Sequence, residues 1–128
     1  MNRAVLDASA ILAVLNQEPG ADRLTAEILS TAVGSTVNLA EVQGKLVHDG
    51  MAPDKAWRAT LYSVSQAVAF TPEQANLAGS LIAETRPLGL SLGDRACLAL
   101  ALERRAPVYT TDRSWKRLKL AIPIHVLR

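Results

Sequence analysis

Four acids in this chain stand where simple solvation does not account for them. Asp7 lies inside RAVLDASAILAVL, residues 3–15, with apolar residues on both flanks. Burying an unpaired carboxylate is costly, so its surroundings must supply an offset. Glu41 follows the run STVN at 35–38, Asp94 opens the apolar stretch Ala96–Leu102, and Asp112 ends VYTT at 108–111. Each also has an ordinary role open to it. Asp7 can cap a helix at 8–15, Asp94 can form half of a capping box with Ser91, and Asp112 can cap a short helix at 113–118. Glu41 can be a solvated first-turn residue. Gathered together, the four would repel and raise one another's pKa. A hard divalent cation such as Mg²⁺ removes that penalty, because it prefers oxygen ligands and keeps several waters. Such a site can turn bound water into hydroxide and neutralise charge on a phosphoryl transition state.

The elements that must position these acids alternate in type. β-branched runs predict strands at 3–7, 35–38, 66–70, 107–111 and 123–127. Apolar spacing and caps predict helices at 8–15, 21–33, 39–49, 53–64, 72–85 and 92–105, with Gly34 as the stop of the second. The last of these is apolar on every side through 96–102 and should be buried. Strands alternating with helices argue for an α/β fold with a parallel sheet covered on both faces. Ligands in such folds bind at the carboxyl ends of the strands, and the four acids fall at strand exits or in first helical turns.

Composition narrows the function further. With 128 residues, 49% hydrophobic and 20% charged, the chain is expected to be a single globular domain over 1–128. No apolar run approaches the roughly 18 residues of a membrane span, and MNRAVLDAS does not read as a signal peptide. One cysteine, Cys97, leaves no internal disulfide framework, and a cytoplasmic protein is expected. The net charge is +2, but residues 104–128 carry seven Lys and Arg against the single acid Asp112, a basic end able to attract phosphate. Materials for competing chemistries are missing. His48 and His125 lack metal-ligand spacing, Cys97 falls in the buried helix, and PLGLSLGDR lacks the GxxxxGK[ST] phosphate loop. Trp57 reads as core, and Trp115 as the residue that packs the short helix onto the sheet.

At these residues the chain resembles the PIN-domain nucleases, and among them the VapC-type toxins of bacterial type II toxin–antitoxin pairs. The matching pieces are VLDASAILA at the start, VNLAEV near position 40, SLGDRACLALA at 91–101 and VYTTDRSW at 108–115. Their order and spacing cover essentially the whole chain. The resemblance implies a three-layer α/β/α sandwich around a central, mostly parallel five-stranded sheet. It implies a metal site built from Asp7, Glu41, Asp94 and Asp112, supported by the hydroxyls of Ser9 and Thr110, with Asn38 where the family often has a small polar residue. It also implies RNA cleavage with Mg²⁺ or Mn²⁺, an antitoxin that blocks the site, and a homodimer. Some relatives carry a further acid just beyond the last one; Ser114 stands there in this chain, which points to one tightly bound metal ion and a second recruited only with substrate.

The resulting expectation is a hydrolase, a metal-dependent endoribonuclease. Asp7, Asp94 and Asp112 would hold the cation directly or through water, with Glu41 as ligand or as base for the attacking water. Arg95, Arg113, Lys116, Arg117 and Lys119 are the candidates for holding the RNA backbone, and helices 21–33 and 53–64 for docking an antitoxin. Two alternatives belong to other classes. One is a phospho-acceptor receiver-like signalling module, for which the adjacent acids after strand one and a Lys after the last strand are missing. The other is a catalytically silent PIN-like domain that binds RNA or a protein partner.

Overall fold

The computed structural model describes residues 3–128. Five short strands are joined through helices: β1 (Val5–Leu6), β2 (Val33–Ser35), β3 (Gln66–Val68), β4 (Val108–Thr110) and β5 (Ile124–Val126). All four pairings are parallel, in the order β3-β2-β1-β4-β5, with Val5 opposite both Val33 and Val108. The chain winds outward from β1 in one direction, then returns to β4 and winds the other way. The crevice at the carboxyl ends of β1 and β4 is therefore the topological switch point, where open α/β sheets place their ligands. A flavodoxin-like receiver would show the order 2-1-3-4-5 instead, so the receiver reading is not the fold adopted.

Successive side chains on a strand face opposite ways, and two cores follow from that. Val5, Val33 and Val108 point to one face. There they pack with Cys97, Leu98, Leu100 and Ala101 of α7 (Leu92–Arg104), together with Leu81, Leu90 and Trp115. Leu6 and Tyr109 point to the other, against Ile11 of α1 (Ala8–Leu15) and Leu39, Val42 and Leu46 of α3 (Thr36–His48). This is the expected α/β/α sandwich. Helix α7 is buried from Ala96 through Ala101, as its all-round apolar sequence requires. Trp115 is wholly buried, Trp57 partly so, and the ring of His125 stacks on Tyr109 at 4.7 Å between centroids.

Several boundaries differ from the sequence reading for local reasons. The second strand is Val33–Ser35 rather than 35–38, because the Ser35 hydroxyl accepts from the Val37 N–H at 3.2 Å and starts α3 there. Asn38 is thereby helical. Gly34 lies inside that strand and does not stop a helix; a Cβ on it would come 3.2 Å from Leu39 Cδ2. The helix expected over 21–33 is a 3-10 turn, Ala21–Arg23, followed by α2 (Ala26–Thr31). Leu24 leaves helical geometry, and Thr25 starts the new helix by accepting from the Ile28 N–H. The helix expected over 53–64 is α4 (Pro53–Tyr62). That over 72–85 divides at Leu81 into α5 (Pro72–Ser80) and α6 (Ile82–Thr85). The short helix after Asp112 is a 3-10 helix, Arg113–Arg117.

Candidate active site

Asp7 follows β1 directly and is 3% exposed. Its Oδ1 accepts from the Ser9 hydroxyl at 2.7 Å and from the Ala10 N–H at 2.8 Å, so it does cap α1. Its Oδ2 accepts from the Thr110 hydroxyl at 2.6 Å, across the sheet from β4. Burial pushes the Asp7 carboxyl up to about 6; the bonds from Thr110, Ser9 and Ala10 pull it down, and the charge of Asp94 adds to the rise. The ion pairs among the described residues, Lys45–Asp49, Arg58–Asp54 and Arg128–Glu18, do not involve it.

Thr110 and Ser9 weld the two strand exits together. The buried Thr110 hydroxyl, while donating to Asp7, accepts from the Asp112 N–H at 3.1 Å. The Ser9 hydroxyl oxygen accepts from the Thr111 N–H at 2.9 Å and lies 3.3 Å from Thr110 Oγ1. A change at either hydroxyl thus disturbs both exits.

Glu41 and Asp94 approach from helices. The Asp94 carboxylate accepts from the Ser91 N–H at 2.8 Å while the Ser91 hydroxyl accepts from the Asp94 N–H, which is the capping box that starts α7. The Glu41 Oε1 accepts from the Asn38 side-chain amide at 2.9 Å, and that same amide donates to the Gly93 carbonyl at 3.0 Å. Asn38 is buried, and its Oδ1 has no partner. Cys97 on α7 is fully buried, its thiol pushed well up by burial and by the charges of Asp7, Asp94 and Glu41. The charges of three carboxylates, one just after β1 and one each on α3 and α7, thus reach this one thiol.

Asp112 is placed differently. It is exposed, and its Oδ1 accepts from both the Ser114 N–H at 2.9 Å and the Ser114 hydroxyl at 2.7 Å, capping the 3-10 helix. It joins the other acids through its backbone and Thr110. Among the described residues no group of three or more His, Cys, Asp or Glu is set closely enough to hold one metal ion. The donors nevertheless suit a hard divalent cation in kind: all are oxygens, and one is a buried carboxylate with no cationic partner among those ion pairs.

The basic candidates divide too. Lys116, Arg117 and Lys119 are exposed. Arg113 is exposed as well but donates to the Arg128 carbonyl at 3.0 Å. Arg95 is half-buried and donates to the Ala78 carbonyl at 3.3 Å, so it forms part of the α5–α7 joint. A surface cavity lined by residues such as Val14, Gln17 and Asp22 contains none of the four acids. Sequence reasoning did not single out Gly93. Its only signal was a glycine in the first turn of a helix otherwise rich in good formers.

Comparison with known proteins agrees with this fold. The PIN domain family matches residues 4–120. The fold is similar to that of VapBC from Salmonella typhimurium bound to DNA, with 19% identity over 100% of both chains and a TM-score of 0.75. It is similar to VapBC2 from Rickettsia felis bound to a promoter DNA fragment, at 19% identity over 98% of both chains and a TM-score of 0.74. It is similar also to VapC20 from Mycobacterium tuberculosis, a sarcin-ricin loop cleaving toxin, at 19% identity over 88% of this chain and 92% of that one, with a TM-score of 0.73. No curated protein sequence matches significantly. With the family matched over residues 4–120 and its acids at the switch point of a 3-2-1-4-5 sheet, the chain belongs to the PIN domain family.

Proposed function

We propose that this protein is a metal-dependent endoribonuclease, the toxin of a toxin–antitoxin pair. One observation carries the reading: Asp7, buried, with no cationic partner among the described ion pairs and gripped by three hydrogen bonds, lies at the switch point of the sheet within reach of the Asp94 charge. Such a group destabilises the folded chain unless a positive ligand compensates it. The neighbours support the toxin role, since VapBC complexes share the fold from end to end.

Asp7, Glu41, Asp94 and Asp112 would hold Mg²⁺ or Mn²⁺. The cation supplies charge neutralisation for the substrate phosphate and acidifies a bound water. The protein's own residues do the rest. Ser9, Thr110 and the Ala10 N–H fix the Asp7 carboxylate in one orientation. Asn38 occupies Glu41 Oε1, leaving Oε2 either to hold the cation or to take a proton from the attacking water. Attack of that water on phosphorus forms a new P–O bond and breaks the P–O3′ bond, and the departing O3′ takes up a proton from solvent water. The products carry a 5′-phosphate and a 3′-hydroxyl. Lys116, Arg117 and Lys119, with Arg113, hold the RNA backbone electrostatically. Glu41 and Asp112 are exposed, as access by a polymer requires. An antitoxin covering this edge and a homodimer complete the reading. No helix is long and apolar enough to cross a membrane among the described residues, and the cytoplasm is the compartment proposed.

The test is cleavage of cellular RNA by wild type and Asp7→Asn, each with Mg²⁺, Mn²⁺ or EDTA. Cleavage that needs the metal, disappears in Asp7→Asn and leaves 5′-phosphates is the expected result. Metal-dependent cleavage undiminished in Asp7→Asn contradicts the site. An inert wild type would point instead to a PIN-like domain that only binds RNA or a partner.

A further inference from the structure

We propose that Gly93 is a positioning residue, whose missing side chain makes the berth for the Glu41 carboxylate and whose carbonyl, through the Asn38 amide, latches it there. The inference rests on reading the acids as a nuclease site. The geometry beneath it stands independently. A Cβ built on Gly93 meets three atoms first, and all three belong to the Glu41 carboxyl group: Oε1, Oε2 and Cδ, the last at 2.6 Å. Real Cβ atoms essentially never come so close, so any side chain at 93 must expel Glu41.

No other need for glycine is visible at this position. Its φ lies outside the left-handed region that marks Gly20, Gly50 and Gly89, so an L-residue fits the backbone. Gly44 and Gly79, the other helical glycines, have nothing within 4 Å of a built Cβ. At Gly20 the obstruction is the Leu127 backbone, a fixed part of the fold. At Gly93 it is the far end of a flexible acid. Glycine is also a poor occupant of a helix compared with alanine, so local stability does not account for it.

The latch completes the berth. Asn38 is 1% exposed, and its one amide donates to Glu41 Oε1 at 2.9 Å and to the Gly93 carbonyl at 3.0 Å. The acid from α3 is thereby held against the first turn of α7, one residue from Asp94. The turn also carries the positive end of that helix's dipole, which favours a carboxylate there. Asn38 and Gly93 act on opposite sides of the same group: one pulls the carboxylate in, the other leaves it room.

The test is Gly93→Ala in the full chain, with Mn²⁺ affinity read by electron paramagnetic resonance, thermal unfolding, RNA cleavage and a crystal structure. The expected variant melts at or above the wild-type temperature, since Glu41 can swing out and alanine suits the helix. Its crystal structure shows the Glu41 carboxylate displaced and the Asn38 amide released from it. Mn²⁺ affinity falls about 10–100-fold, and cleavage falls in kcat more than in KM. In a Glu41→Ala background the same substitution has no further effect on Mn²⁺ affinity, because the group it acts through is gone. Gly93→Ala with wild-type Mn²⁺ affinity, or with an equal loss in both backgrounds, overturns the role of Gly93. A lowered melting temperature with Glu41 still in its berth overturns it too. Wild-type protein that neither binds Mn²⁺ nor cleaves RNA overturns the nuclease reading itself, an outcome distinct from an active wild type matched by an equally active Gly93→Ala.

Discussion

The two walls of the site are built on different principles. On the inner wall, Asp7 and Thr110 are buried, and their side-chain hydrogen bonds run to one another and to Ser9, Ala10 and Asp112. On the outer wall, Asp112 is exposed and caps its own 3-10 helix, which leads into the exposed bases Lys116, Arg117 and Lys119. The inner wall is preorganised at the expense of stability. The outer wall folds as any surface turn would. Substitutions on the inner wall should therefore change activity and stability together, whereas those on the outer wall should change binding and cleavage with little effect on stability.

The largest effects are expected at Glu41, which is exposed, and at the buried Asp7. Glu41→Gln removes the proton acceptor and should lower kcat by about 10²–10⁴-fold in a cleavage assay. Asp7→Asn should lower it at least as much, yet make the metal-free protein more stable. The sign follows from the carboxyl of Asp7, raised from 3.8 to about 6 by burial. Below the unfolded value it is protonated in both states and adds no penalty. As pH rises from there through the folded value, the unfolded chain releases the proton first, and stability is lost. The full loss is on the order of 3 kcal/mol above that window. In metal-free buffer the stability gap between Asp7→Asn and wild type should open across this range and close at its acid end. Chemical denaturation at a series of pH values checks it.

Thr110→Val should rank next. It deprives Asp7 Oδ2 and the Asp112 N–H of their shared partner, costing about 1–3 kcal/mol in unfolding free energy. Cleavage should drop about 10–100-fold, the usual size for a residue that orients a metal ligand. Because the lost bond is one that lowers the Asp7 carboxyl, its titration should move higher still, observable by carbon NMR. Asp112→Asn tests the contrast between the walls. Asparagine caps as well as aspartate, so stability should stay within about 0.5 kcal/mol while cleavage falls. The smallest effect is expected from Lys116→Ala or Lys119→Ala. Each should weaken RNA binding evenly across sequences and reduce the salt slope by about 1, measured by titration at several ionic strengths.

The same contrast explains what the amino-acid sequence revealed. Asp7 was legible because a charge inside an apolar run has few explanations. Asp94 and Asp112 were legible by position, at the start of the buried helix and the end of a strand. The capping roles weighed for Asp7, Asp94 and Asp112 are all present as well. A first-turn acid can cap its helix and still face a crevice. The break between residues 23 and 26 was not legible, since the apolar spacing runs on through it and Thr25 restarts the helix in phase. Asn38 read as the end of a strand because the Ser35 cap carries no periodic signal. Gly93 was invisible for a deeper reason: an absent side chain has meaning only once the group filling its space is known.

The most direct test of the central claim is thermal unfolding of wild type and Asp7→Asn near neutral pH, in EDTA and in saturating Mn²⁺. In EDTA the variant should melt higher, because the uncompensated Asp7 charge burdens only the wild type. With Mn²⁺ the order should reverse, since a ligand at about a thousand times its Kd adds roughly 4.1 kcal/mol to a protein able to bind it, more than the burden of about 3 kcal/mol. If Mn²⁺ shifts both proteins equally, or neither, Asp7 does not hold a metal ion and the site is not the one described.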